Sequence, residues 1–170
     1  MKKFFFLLVF VFSFQAKSNV VTACEDSMTF TSHLAECIRS ARSAQQVYAC
    51  DSAFTFDDDV IECLNTWARP GIIRACADVM SFKSNYLQCM KSTRAIAQLH
   101  ACNNAFSFDN DKLECLASGR RARLINTCTR VLSFRSHYME CILNAPGIRM
   151  IEFCAQRTRS DNHLLKCLKQ

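Results

Sequence analysis

The sequence lacks close cysteine pairs, is poor in glycine and proline, and has no long apolar run after its N-terminus. Zinc-binding, thioredoxin-like and haem-attachment motifs use cysteines separated by two residues, and none of the twelve cysteines is that close to another. No catalytic or cofactor-binding motif stands out either. We therefore expect no metal, no cofactor and structural cysteines in a chain that is not an enzyme.

What is present at the N-terminus is typical of a secretory signal. Lys2 and Lys3 precede an apolar run from Phe4 to Phe14. That run is too short to cross a hydrocarbon core of roughly 30 Å as a helix, so we expect no membrane-spanning segment. We predict a signal peptide over residues 1–18, with its end between 16 and 23, and one cysteine-rich repeat domain over 19–170.

Two further features bear on the destination of the chain. Val21 to Cys24 spell a bacterial lipobox, which would place a lipid on Cys24, but Lys17 separates these residues from the apolar run. A lipid anchor is therefore the weaker alternative. An even number of cysteines behind an export signal favours an oxidising compartment. The short lysine-led signal and the absence of N-glycosylation motifs favour a bacterial periplasm or the extracellular space.

The cysteines recur every thirteen residues without a slip. Two alternating thirteen-residue segments make a unit of 26 residues, and the first segment carries Ser/Thr-Phe eight to seven residues before its cysteine in five of six copies. Five residues before the same cysteine stands a residue that can accept hydrogen bonds from helix amides. We predict these residues as N-caps: Ser32, Asp58, Ser84, Asn110, Ser136 and Asn162.

The second segment of each unit predicts another short helix centred on its cysteine. Apolar residues stand three before the cysteine and four after it, as in Val47 and Phe54. All glycines and prolines fall between the first helix and the second. The predicted fold is all-α, a disulfide-stapled α-solenoid of short antiparallel helix pairs. This organisation resembles the Sel1-type cysteine-rich repeats and, more distantly, tetratricopeptide arrays, in architecture only.

Two disulfide registers fit antiparallel hairpins, because both kinds of turn lie midway between successive cysteines. One register starts at Cys37 with Cys50 and leaves Cys24 and Cys167 unpaired. The other leaves no cysteine unpaired, and we prefer it for that reason. It pairs Cys24 with Cys37, Cys50 with Cys63, Cys76 with Cys89, Cys102 with Cys115, Cys128 with Cys141, and Cys154 with Cys167.

Three series of side chains could carry chemistry, and each also has a structural interpretation. Histidines four residues before a cysteine share a helical face with it, but other copies hold Asp or Asn there, which favours solvated first-turn residues. Acidic residues at the same helix starts could bind calcium, although they also suit the positive end of a helix dipole. The phenylalanines could line a peptide groove, but covering the core between helices is their expected role. The series are His33, His137 and His163; Asp57, Asp58, Asp59, Asp109 and Asp111; and Phe30, Phe56, Phe82, Phe108 and Phe134.

The charge distribution is asymmetric. The stretches from each first-helix cysteine to the next second-helix cysteine hold ten basic residues and one acid, Glu152. These turns would lie on one edge of a solenoid, where the cations either answer helix dipoles or attract an anionic partner. The predicted basic edge consists of Arg39, Arg42, Arg69, Lys91, Arg94, Arg120, Arg121, Arg123 and Arg149.

The sequence therefore predicts an exported, non-enzymatic binding or scaffold protein. Its partner would be a protein or an anionic surface or polymer, met through the basic edge, while nucleic acid is not expected outside the cytoplasm. One alternative is a secreted enzyme whose site forms across repeats. Another is a protease-resistant secreted effector or inhibitor.

Overall fold

A computed structural model describes residues 19–170, and the predicted signal peptide over residues 1–18 lies outside the described residues. Twelve helices and no strand are found in this range. The helices are α1 (residues 19–27), α2 (Thr31–Ser40), α3 (Ala44–Ala53), α4 (Asp57–Asn65), α5 (Pro70–Val79), α6 (Tyr86–Ser92), α7 (Ile96–Ala105), α8 (Asp109–Ala117), α9 (Ala122–Val131), α10 (Tyr138–Asn144), α11 (Ile148–Arg157) and α12 (Asp161–Leu168). One turn of 3-10 helix leads into α6, at Lys83–Asn85, and another into α10, at Arg135–His137.

Each odd-numbered helix forms an antiparallel hairpin with the helix that follows it, closed by one disulfide. The bridges are Cys24–Cys37, Cys50–Cys63, Cys76–Cys89, Cys102–Cys115, Cys128–Cys141 and Cys154–Cys167, all thirteen residues apart in sequence. All twelve cysteines are bonded. Bridges of this number form and persist in an oxidising environment, as met by exported proteins. Cys24 has no thiol left to carry a lipid.

The chain divides into two compact units, an N-terminal unit up to Arg74 and a C-terminal unit over Ala75–Gln170. In the C-terminal unit the helices α7, α9 and α11 pack in series, as do α6, α8, α10 and α12. In the N-terminal unit α4 packs against both α2 and α3. Like helices therefore stack on like helices, which gives the disulfide-stapled helical repeat that the cysteine spacing predicts. The single extent of the domain over 19–170 stays a prediction.

The core consists of the disulfides and the apolar residues around them. Nearly all cysteines are fully buried. In the second segment, the apolar residue three positions before each cysteine is also fully buried, and the apolar residue four positions after the cysteine is at most 7% exposed. This confirms the predicted stripe of the second helix. The buried residues three before are Val47, Ile73, Leu99, Ile125 and Ile151, and those four after are Phe54, Met80, Phe106 and Leu132.

The predicted N-caps are wrong. Helices α2, α4 and α8 begin one residue before the predicted cap, so the residue that precedes them is the phenylalanine: Phe30, Phe56 and Phe108. None of these three caps its helix through a side chain, and neither does Ser160 before α12. The predicted cap residues instead lie in the first helical turn or the 3-10 turn: Ser32, Asp58, Ser84, Asn110, Ser136 and Asn162.

In alternate hairpins, a carboxylate from the next hairpin accepts backbone hydrogen bonds from the turn that precedes the second helix. In α4, Asp57 accepts hydrogen bonds from the backbone N–H groups of Thr29 (3.1 Å) and Phe30 (2.8 Å) at the start of α2. In the C-terminal unit, Asp109 of α8 accepts from the N–H groups of Ser81 and Phe82. Asp161 of α12 accepts in the same way from Ser133 and Phe134. Each of these carboxylates, which we call the staple aspartates, ties a hairpin turn to the following hairpin.

The staple aspartates stand 52 residues apart, so the complete structural unit is two 26-residue repeats. The alternate copies carry Thr31, Lys83 and Arg135 at the same place. Gln46 and Gln98, also 52 residues apart, are buried and donate to the carbonyls of Leu64 and Leu116, near the ends of α4 and α8. The two kinds of hairpin turn therefore differ in role, one supplying the carboxylate and the other receiving it.

Candidate functional site

Two surfaces of each unit hold the residues that the sequence singles out. The connections between bridged hairpins carry most of the arginines, and we call this surface the basic edge. The turns inside the bridged hairpins carry the phenylalanines, and we call this surface the aromatic edge. Both follow from the local fold, since the two ends of short antiparallel helices each collect one kind of turn.

The phenylalanines of the aromatic edge do not cover the core, and this predicted role is wrong. Their exposed fractions run from 62% for Phe30 to 75% for Phe108, with Phe56, Phe82 and Phe134 between. The backbone explains the difference, because each of these residues is extended and precedes its helix, so its side chain lies outside the helical stripe. The core positions are held by the disulfides instead.

In the C-terminal unit the aromatic edge contains a cavity of about 250 Å³. Its apolar lining comes from Phe106, Phe108 and Met139, and its polar lining includes Asp111 and Arg135. Nη1 of Arg135 lies 2.7 Å from the hydroxyl of Ser107, to which it donates. A single bulky side chain of a partner would fit a cavity of this size.

The histidines and acids of the helix starts form one arrangement, and the prediction that they are solvated is wrong for part of the series. Nδ1 of His33 lies 3.3 Å from Oδ2 of Asp57, and Nδ1 of His137 lies 3.1 Å from Oδ2 of Asp161. In the copy between them, Nδ2 of Asn85 donates to Oδ2 of Asp109 over 3.0 Å. Each of these side chains therefore helps to hold a staple aspartate. His163, by contrast, is exposed and bonds to the hydroxyl of Ser160.

The environment of the staple aspartates favours their charged form. Burial by itself would raise the pKa of Asp57, but hydrogen bonds from Phe30, Thr29 and His33 outweigh it and lower the pKa below its usual value. The pKa of Asp161 is lowered against burial in the same way by its backbone and histidine partners. At Asp109 burial is opposed by Asn85, the backbone and buried Lys112, and the pKa is again lowered.

The cations predicted for the basic edge lie near helix ends in both units, and their joint role as a binding surface stays a prediction. Arg39 and Lys91 lie in the last turn of α2 and α6, where a positive charge stabilises the helix dipole. The other cations lie near the start of the following helix, where the dipole is positive. They are Arg42, Arg69, Arg94, Arg120 and Arg121, which precede a helix, and Arg123 and Arg149, which lie in its first turn.

The structure brings some of these cations together. In the C-terminal unit Arg120, Arg121 and Arg123 line an open cavity of about 520 Å³ with Pro146 and Gly147 of the next connection. Nη2 of Arg120 donates to the carbonyl of Leu143 over 2.9 Å, which holds that side chain at the last turn of α10. No group of three metal-binding side chains occurs among residues 19–170.

In the N-terminal unit the basic edge contains a residue that the sequence pattern did not single out. Trp67 is 62% exposed, and the guanidinium carbon of Arg42 lies 4.6 Å from the centre of its ring. Its backbone has φ of 57°, in the left-handed region, whereas the residue 52 positions later is Gly119 with φ of 65°. A sequence comparison over 52 residues, instead of 26, would have aligned Trp67 with Gly119 and marked the tryptophan as unusual for this turn.

Within the described residues, no helix is both long and apolar enough to cross a bilayer. Comparison with models of protein families, with curated proteins and with solved structures finds no match to this chain.

Proposed function

We propose that this is an exported, non-enzymatic binding protein that recognises an anionic partner through its basic edge, in a bacterial periplasm or outside the cell. The observation that carries the proposal is the position of the arginines. Arg39 and Lys91 lie in the last turn of a helix, and Arg120 donates to a carbonyl in the last turn of α10, so helix ends account for these three cations. The other six precede a helix or lie in its first turn, where a positive charge does not stabilise the dipole, and binding would give them a purpose.

The arginine cavity of the C-terminal unit is the strongest part of this surface. Its lining includes Arg120, Arg121 and Arg123 around the start of α9, and Gly147 and Ile148 at the start of α11. An anion there would meet arginine donors together with helix-start amides, a combination that favours phosphate, sulfate and carboxylate groups. The open shape suits a group carried on a surface or polymer.

Charge reversal tests the proposal. The oxidised protein is expected to bind an anionic matrix such as heparin at low salt and to be released by added salt. The variant Arg120→Glu, Arg121→Glu, Arg123→Glu should be released at much lower salt. A control with the same change in charge, Arg74→Glu, Arg159→Glu, Lys166→Glu, alters exposed residues outside the connections. Equal release of both variants would contradict recognition by the basic edge.

The aromatic edge supports a second candidate function, the binding of a partner with apolar side chains. The specific observation is that all five phenylalanines are exposed, three of them in the C-terminal unit, because exposed apolar patches mark interaction surfaces. We expect the protein to bind the apolar dye anilinonaphthalene sulfonate, and Phe82→Ala, Phe108→Ala, Phe134→Ala to reduce its fluorescence severalfold. Leu143→Ala, Met150→Ala, Phe153→Ala, which removes three exposed apolar side chains outside the aromatic edge, is the matched control. Undiminished dye binding by the triple variant would exclude this surface.

A further inference from the structure

The most unusual residue of the basic edge is the one tryptophan of the chain, Trp67. A bulky residue with φ of 57° is strained, because its Cβ crowds the backbone, and such strain persists mainly where function requires it. The matching connection of the C-terminal unit has Gly119 at this position with nearly the same φ. The turn itself therefore needs glycine or a tolerant residue, and it gives no reason for an indole.

Core packing does not explain Trp67 either. Its side chain is 62% exposed, and the contact it makes on one ring face is with the guanidinium of Arg42, itself an exposed residue. The indole of Trp67 and the guanidinium of Arg42 are therefore stacked side by side at the surface. The ring keeps a large apolar area in contact with solvent.

The surroundings of the pair are cationic. The segments 38–43 and 64–69, which contain the two connections of the N-terminal unit, hold three arginines and no acid. The arginines are Arg39, Arg42 and Arg69, all exposed. Indole with arginine is the combination found where proteins meet the headgroup layer of a bilayer, because the ring is apolar with a polar N–H and the cations bind phosphate.

We propose that Trp67, with Arg42 and Arg69, anchors the protein at the surface of an anionic phospholipid membrane, with the indole entering the headgroup layer. This rests on the proposed function and names the partner of its N-terminal unit. The tips of two connections suit a flat surface. An acidic polysaccharide would also present anions, and the experiment tests it as the alternative partner.

Because the chain has one tryptophan, its fluorescence reports on this residue alone. With the oxidised protein, vesicles of phosphatidylcholine containing phosphatidylglycerol should shift the emission to shorter wavelength, and lipids brominated on the acyl chains should quench it. Vesicles of phosphatidylcholine alone should do neither. Each arginine removed, by Arg42→Gln or Arg69→Gln, should weaken vesicle binding about fivefold. Arg74→Gln, a control with the same charge change on α5, should not weaken it.

The variant Trp67→Gly separates anchoring from folding, since glycine is the residue of the matching turn. It should keep the unfolding temperature of the wild type and lose most vesicle binding, as measured by co-sedimentation.

If the wild type binds anionic vesicles without any change in emission, or Trp67→Gly binds them equally well, the anchor is excluded while binding by the basic edge stands. A shift produced equally by an acidic polysaccharide or an acidic peptide would assign the residue to another partner and overturn the proposal. Failure to bind both the vesicles and the heparin matrix would remove the proposed function as well.

Discussion

The stretch from Thr29 to Arg69 and the stretch from Ser81 to Arg121 lie 52 residues apart. Each has one residue in the left-handed backbone region, and that residue differs between them. Both contain a staple aspartate, and both have a buried glutamine that donates to a carbonyl near the end of a helix. In both, a hydroxyl after that helix accepts a backbone hydrogen bond in the connection. Among the positions that differ, His33 and Asn85 both bond to the staple aspartate, and Val60 corresponds to buried Lys112. Exposed Trp67 corresponds to Gly119 and takes no part in this bonding, so that position is where function is to be sought.

The staple aspartates should give the largest effect among tests of this comparison. Asp57→Ala and Asp109→Ala each leave two backbone N–H groups without their carboxylate, which should cost about 1 to 3 kcal/mol of unfolding free energy. Urea denaturation should show a loss for both variants, and the larger one for Asp109→Ala, which also leaves buried Lys112 without its anion. A loss confined to one variant would show that the 52-residue unit is not a structural repeat.

The same aspartates should make stability depend on acid. Their pKa values are lowered in the folded protein, so the unfolded chain binds protons first as the pH falls, and the stabilisation present above about pH 4 is lost below it. We expect Asp57→Asn, Asp109→Asn, Asp161→Asn to be less stable than the wild type at neutral pH. The variant should also lose less stability between about pH 6 and about pH 3, because carboxyl groups of the unfolded chain titrate within this range. Parallel acid profiles in urea denaturation would contradict the assignment.

Much of the fold could be predicted because the cysteine spacing leaves little freedom. Cysteines thirteen residues apart, centred in helices, allow a hairpin for each pair, and the buried residues around them follow a helical period. The helix starts could not be placed, because Ser32 looks like the cap of α2 while the acceptor at that turn, Asp57, lies on α4. Hydrogen bonds between hairpins depend on how the hairpins stack, which a pattern within one repeat does not encode.

The surfaces were predicted unevenly for the same reason. Charge counts located the basic edge, since arginine is exposed whatever the packing. The exposure of Phe30 and Phe108 was missed because a phenylalanine is expected inside, and the extended backbone ahead of each helix takes it out of the core. Trp67 was missed because its significance depends on a backbone angle and on the glycine at the matching position.

The smallest effect should come from exchanging the residues at the left-handed position. Gly119→Ala places a Cβ where φ is 65° and about 3.3 Å from the guanidinium carbon of Arg94, a flexible group that can move aside, so strain alone should cost about 1 kcal/mol. Trp67→Gly relieves the same strain but loses the contact with Arg42, worth about 0.5 to 1 kcal/mol at an exposed site, so the two should nearly cancel. Thermal unfolding of both variants decides whether the tryptophan is structural. If Trp67→Gly destabilised the protein more than Gly119→Ala, the indole would be stabilising the turn, and its strain would no longer argue for a role in binding.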